Sequence, residues 1–187
     1  MLFQEKEFKN KNYTSQPLAK GDYENCIFIE CSFLNSDLSH INFVECSFED
    51  CDLTSANLNQ TALKEISFRN CKLLGLRFEH CNSFLMAVQF ENCNLKLSSF
   101  YDLALKKTIF NNCDLQEADF TQADFTASSF NNCDLGLVVF AQTVLEKADL
   151  RTAYNYNIDP ELNRIRKAIF STSGLAGLLR RYDIDVE

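Results

Sequence analysis

Tryptophan is absent from this sequence, and proline, glycine, methionine and histidine together supply only eleven residues. So little proline and glycine excludes a collagen-like or low-complexity chain and argues against disorder. No apolar run approaches the ~18–20 residues of a membrane-spanning helix. The opening stretch Met1–Lys11 has no apolar signal core, so the chain is expected to be soluble and cytoplasmic, without a membrane partner. No glycine-rich phosphate loop is present, and the nine cysteines never occur in CxxC spacing. These absences leave no catalytic, cofactor-binding or metal site to expect.

What the sequence does have is phenylalanine, 17 of them. Stepping by five from Tyr23 gives Phe28, Phe33, Leu38, Phe43 and so on to Phe78; stepping by five from Phe90 gives Leu95, Phe100, Leu105 and so on to Leu150. All 25 of these positions are Leu, Phe or Tyr, and 13 of the 17 Phe fall on them. The residue two places earlier is small in 19 of the 25 units, as in Ala118-Asp119-Phe120 and Ala123-Asp124-Phe125. A five-residue period fits neither a 3.6-residue helix nor a two-residue strand. It fits a coil whose sides are five residues long, with the small and the large residue both facing inward.

A second period of 20 overlies the first. Phe28, Phe48 and Phe68 are each followed three residues later by Cys31, Cys51 and Cys71, and Phe90, Phe110 and Phe130 by Cys93, Cys113 and Cys133. Four sides therefore close one turn, and like residues stack in ladders such as Asn92–Asn112–Asn132. Between Phe68 and Phe90 the step is 22, which places two extra residues near Ser83–Met86. Six turns at strand spacing make a rod ~29 Å long. The fold class expected is all-β, a right-handed quadrilateral β-helix with a short C-terminal α-helical segment. Three segments follow: an N-terminal cap over 1–22, the coil over 23–153 in two halves split near 83–86, and a C-terminal helical cap or dimerisation segment over 154–187.

The C-terminal segment carries its own signals. Asp159 as N-cap with Pro160 at the first helical position predicts a helix to about Lys167. Gly174–Tyr182 reads as a second short helix, and Ile184 and Val186 alternate beyond it. Leu175, Leu178, Leu179, Tyr182 and Ile184 form an apolar set too large for a free tail. They either cover the last coil as a lid or join two rods end to end as a homodimer. Outward-facing Leu137, Val139 and Val144 could dock that tail or a partner.

Charge is uneven along the chain. Residues 23–150 hold 18 acids against 8 bases, a balance of −10, while 1–22 and 151–187 are each +1. Asp114, Glu117, Asp119, Asp124 and Asp134 follow one another with no intervening Lys or Arg. Such a body should repel nucleic acid and favour basic protein partners. Singly, the Asp residues that precede an inward Leu or Phe are better explained by hydrogen bonding to the local backbone at a corner. The cysteines occupy the small inward position, where a thiol is a small buried hydrophobe. His40 and His80 fall on the outer surface without a nucleophile beside them.

The repeat over residues 23–153 resembles the pentapeptide-repeat family. The run Ile158-Asp-Pro-Glu-Leu-Asn-Arg-Ile165 is similar to the segment that follows the repeats in its quinolone-resistance and microcin-immunity members. That resemblance implies a non-enzymatic, DNA-mimicking protein that binds DNA gyrase or topoisomerase IV and protects it from quinolones or peptide toxins. It also implies a homodimer through the C-terminal segment. The larger quinolone-resistance members carry projecting loops, and only the two extra residues near Ser83–Met86 stand in their place here. The alternative is an interaction scaffold for another partner.

Overall fold

The computed structural model describes residues 1–184; the last three positions, Val186 among them, lie outside the described residues. The chain winds into a parallel β-solenoid of about eight turns. We number its faces 1 to 4 after the inward residues Tyr23, Phe28, Phe33 and Leu38. Face 2 is the continuous one. Nine strands from Glu7–Lys9 to Ile169–Phe170 lie side by side there, with Phe8, Phe28, Phe48, Phe68, Phe90, Phe110, Phe130, Leu150 and Phe170 in one column. Face 1 begins with four strands, Leu2–Gln4, Asp22–Glu24, Asn42–Val44 and Ala62–Lys64.

The inward column makes the core. Rings of successive turns stack at 4.8 Å for Phe8–Phe28 and for Phe28–Phe48, and at 4.9 Å for Phe110–Phe130. Phe28, Phe33, Phe100, Phe110, Phe120, Phe125 and Phe130 are wholly buried. Each such ring removes ~1.5–3 kcal/mol worth of apolar surface from water. The place two residues before each large one is mostly held by a small residue, with Ile41, Ile66, Leu76, Val88, Leu103 and Val138 buried there as exceptions. Cysteine fills that place and finds weak acceptors: the thiols of Cys51 and Cys71 donate to the carbonyls of Phe28 and Phe48, one turn back, at 3.4 and 3.3 Å. All nine cysteines are buried and free, as their positions in the repeat required.

The corners are of two kinds. At many of them the N–H three residues after the inward residue donates back to that residue's carbonyl, as Ser36 does to Phe33 and Ala56 to Leu53, whereas the corners that follow Phe28, Phe48 and Phe110 on face 2 lack this bond. In the bonded corners the residue two after the inward one takes a left-handed conformation, with φ of 53° at both Asn35 and Ser55. This is the type II turn, and Asn, Asp and Gly tolerate its third position best.

Both ends depart from expectation. Residues 1–22, read above as a cap, form a coil turn of their own: Phe3 pairs in register with Tyr23 and Phe8 with Phe28. The positions two before Phe3, Phe8 and Tyr13 are Met1, Lys6 and Lys11, all exposed. A terminal coil is packed from one side only, so the requirement for a small residue is relaxed there. At the other end the helix expected from Asp159 does not form. The Asp159 carboxylate accepts the Glu161 N–H at 2.9 Å, which makes a turn, and the coil then resumes. Asn163 takes the small inward position and donates to Phe140 O at 3.2 Å, and Ile165 and Phe170 return to the frame. The two extra ends raise the expected six turns to about eight. Among the described residues α-helix is confined to Ala176–Leu179, flanked by single 3-10 turns at Thr172–Gly174 and Arg180–Tyr182, with a further 3-10 turn at Phe78–His80.

Candidate functional site

Two features stand out from the regular coil: the acidic surface and the tail. The coil sorts the five acids by face. Asp114 and Asp134 stack one turn apart on face 3, where they form a bridge between neighbouring coils. Glu117 sits at the adjoining corner with φ of 59°, and Asp119 begins face 4. Asp124, ten residues on from Asp114, lies on face 1 at the opposite side of the rod, paired with Lys106 at 3.2 Å. Four acids are thus brought together across one corner, and the fifth is not.

Each of these aspartates also holds its own corner. Asp114, Asp119, Asp124 and Asp134 accept the N–H two residues on, from Gln116, Thr121, Thr126 and Gly136, at 2.9–3.2 Å. Partial burial works against ionisation of Asp134. The hydrogen bonds from Asn155, Gln116 and the Gly136 N–H outweigh it and hold the carboxyl below the usual carboxylate range. At Asp124 burial likewise opposes, and the Thr126 hydroxyl, its N–H and Lys106 prevail in lowering it. Lys96 offsets Asp114 at 3.0 Å, so Glu117 and Asp119 present the least compensated charge of the group.

The tail folds back on the last coil. The Ile158 N–H donates to Gly177 O at 2.9 Å, and Arg181 reaches Asp159 at 2.7 Å and Glu161 at 3.0 Å. The Tyr182 hydroxyl donates to Glu161 at 3.0 Å. Glycine is required at 177 because a Cβ there would lie 2.5 Å from the Tyr156 carbonyl oxygen. Among the residues expected to dimerise, Leu178 packs against the core and Leu179 is half-buried. Leu175, Tyr182 and Ile184 stay exposed, at 45%, 48% and 56%. Leu162 is exposed as well. The outward apolar residues separate: Leu137 and Val139 are exposed near the corner of faces 3 and 4, where Leu137 lines a cleft of about 550 Å³ with Arg180 and Asn157, while Val144 is half-buried on face 1.

Counting charge along the chain conceals a basic run on face 1. Lys106, Lys107, Lys147, Arg164, Arg166 and Lys167 are all exposed there. The signal was available in the repeat, since each falls one or two places after an inward residue of the same column, or just before one. Among the described residues there is no group of three or more His, Cys, Asp or Glu side chains placed to hold a metal ion. Among the described residues no helix is long and apolar enough to cross a membrane. His40 and His80 lie at corners of the same column, as their spacing implied.

Comparison with known proteins agrees with this geometry. No curated relative matches the sequence. Among solved structures, two trypsin-treated variants of QnrB1, described as a plasmid-mediated fluoroquinolone resistance protein, superpose over 100% of both chains. Their TM-scores are 0.64 and 0.63, at 17% and 18% identity. Full-length QnrB1 superposes over 98% of this chain with a TM-score of 0.58 and 18% identity. At such identity the likeness is one of fold. The family model described as a pentapeptide repeat region matches residues 21–84, 41–111 and 83–154. The chain belongs to the pentapeptide-repeat family.

Proposed function

We propose that the protein is a non-enzymatic interaction protein directed at a type II topoisomerase, DNA gyrase or topoisomerase IV, and that it shields the enzyme from quinolones or peptide toxins. The observation that carries this reading is the acidic corner formed by Asp114, Glu117, Asp119 and Asp134 on a straight, rigid rod. Duplex DNA also presents rows of negative charge at a fixed spacing, and a protein surface built to hold phosphates would accept carboxylates in their place. The full-length likeness to a fluoroquinolone resistance protein supports the same partner. Rigidity favours it too, because a rod already ordered loses little entropy on docking.

The exposed Leu175, Tyr182 and Ile184 support a second element of the proposal, a homodimer through the C-terminal end. The tail already covers the last coil, so dimerisation would add a twofold contact between two capped ends.

The supercoiling activity of gyrase, with and without a fluoroquinolone, tests the reading. Added protein should slow supercoiling or restore it in the presence of drug. If neither effect is seen at micromolar protein, the topoisomerase reading fails and a scaffold for another partner replaces it.

A further inference from the structure

The hydrogen-bond ladder of face 1 is broken once. Beyond Ala104 each step on this face carries three backbone bonds. Asp124 N–H to Leu103 O, Leu105 N–H to Asp124 O and Lys107 N–H to Thr126 O make one step, and Val144, Phe125 and Ala127 donate the equivalent set in the next. Among the described residues, no backbone hydrogen bond joins 82–87 to 104–108. The cause is the 22-residue step. Ser83 falls where an inward Leu or Phe belongs and is exposed, and Phe84 and Leu85 are turned out, 67% and 66% exposed.

The displaced segment opens a cleft of about 570 Å³ between 65–67, 86–89 and 104–108. Its accessible apolar lining comes from Met86, Ala87 and Ala104, over the buried Ile66, Val88 and Leu105. Lys106 and Lys107 line its far side and Glu65 its near side, and Lys64 lies over the Phe84 ring at 5.7 Å. From Ala104 to Lys167 the outward positions of this face hold six bases (Lys106, Lys107, Lys147, Arg164, Arg166, Lys167) and two acids (Asp124, Glu146), a balance of +4 on a chain of −8. Both acids are taken up in pairs with Lys106 and Arg164, and Lys107, Lys147, Arg166 and Lys167 form no ion pair among the described residues.

We propose that this cleft is a docking groove for an extended segment of a partner protein in which acidic and apolar residues alternate. Alternate side chains of an extended segment point to opposite sides, so apolar ones can enter the cleft while carboxylates meet Lys106, Lys107 and the basic run beyond. Backbone groups left open by the broken ladder supply the complementary hydrogen bonds. Nucleic acid fits less well, because the acidic corner and the net charge of −8 oppose a polyphosphate. The proposal does not depend on the topoisomerase reading.

Fluorescence anisotropy with a labelled peptide of alternating Glu and Val tests it on the full chain, beside a Lys/Val peptide and a short DNA duplex. The Glu/Val peptide alone should bind, and Lys106→Glu with Lys107→Glu should weaken it at least ~10-fold. Removing Ser83 and Phe84 leaves Cys81-Asn82-Leu85-Met86-Ala87, a regular unit with Leu inward, which closes the ladder and should abolish binding. The double charge reversal lies on the surface and keeps the test valid if the deletion variant does not fold. Unchanged affinity in the charge-reversal variant would overturn the proposal, as would equal binding of the Lys/Val peptide or preferential binding of the duplex.

Discussion

Phe68 and Phe90, 22 residues apart, stack at 5.5 Å with their planes 9° from parallel, almost as Phe90 and Phe110 do at 5.0 Å across an ordinary turn. The two extra residues therefore leave the face 2 column intact and interrupt face 1 alone, where the half-buried Met86 is the one residue of 83–86 that packs against the core. The irregularity lies where a partner could reach it.

The stacked column should be the least tolerant part of the molecule. Phe110 is fully buried between the Phe90 and Phe130 rings. Phe110→Ala should cost ~3–5 kcal/mol, and Phe110→Asp should prevent folding, since it adds an unpaired buried charge. Asn111→Asp keeps the oxygen that accepts the Asn131 amide and should change stability little. Urea unfolding followed by circular dichroism measures all three.

Leu137 occupies the left-handed corner position with φ of 59° and is 79% exposed. A leucine there has backbone strain without burial to offset it. Leu137→Asn should raise stability by ~0.5–1 kcal/mol, since Asn tolerates this conformation far better. An upward shift in Tm checks this, and a fall would show that Leu137 contributes packing that its exposure does not suggest.

The buried thiols and phenols set an alkaline limit. Burial pushes Cys46 up to about 11, Cys81 up to about 12 and Tyr13 up to about 12. A group whose pKa is raised by folding holds its proton more tightly in the native state. Its contribution is therefore complete below the unfolded value, ~8.5 for Cys, and is lost as pH rises through the folded value. The urea midpoint should stay level from pH 7 to about 8.5 and fall between pH ~9 and ~12. Iodoacetamide should modify the native cysteines far more slowly than the urea-unfolded ones.

Gly177→Ala places a Cβ 2.5 Å from the Tyr156 carbonyl oxygen and should lift the tail from the last coil. Trypsin cleavage after Arg180 and Arg181 should then accelerate several-fold, with the coil itself resistant. Unchanged cleavage would contradict the docked tail. Light scattering on the full chain tests the proposed homodimer, which predicts twice the monomer mass of 21.5 kDa. A mass that stays at the monomer value would refute it.

The sequence made the interior legible because the Phe column is a direct imprint of packing. Every regular side points one Leu, Phe or Tyr inward, and a polar residue in that place would leave the core unfilled. The ends were harder to read for the same reason. Asp159-Pro160 carries the local chemistry of a helix start, but an aspartate accepting the N–H two residues on serves a turn equally well. The continued coil beyond it was hidden by Asn163 in a place usually held by Ala or Cys. The acidic site was half legible. Asp114 and Asp124 belong to one stretch free of Lys and Arg and lie on opposite faces of the rod, because ten residues is half a turn. The basic run on face 1 became visible only once residues were sorted by face.

Binding of purified gyrase to immobilised protein, in competition with duplex DNA, tests whether the acidic corner of the rod engages a type II topoisomerase. Binding that DNA displaces is expected. The quadruple variant Asp114→Asn, Glu117→Gln, Asp119→Asn, Asp134→Asn, whose side chains keep the corner acceptors and lose the charge, should bind at least ~10-fold more weakly. Absence of binding by the wild-type protein, or equal binding by the quadruple variant, would contradict the topoisomerase reading.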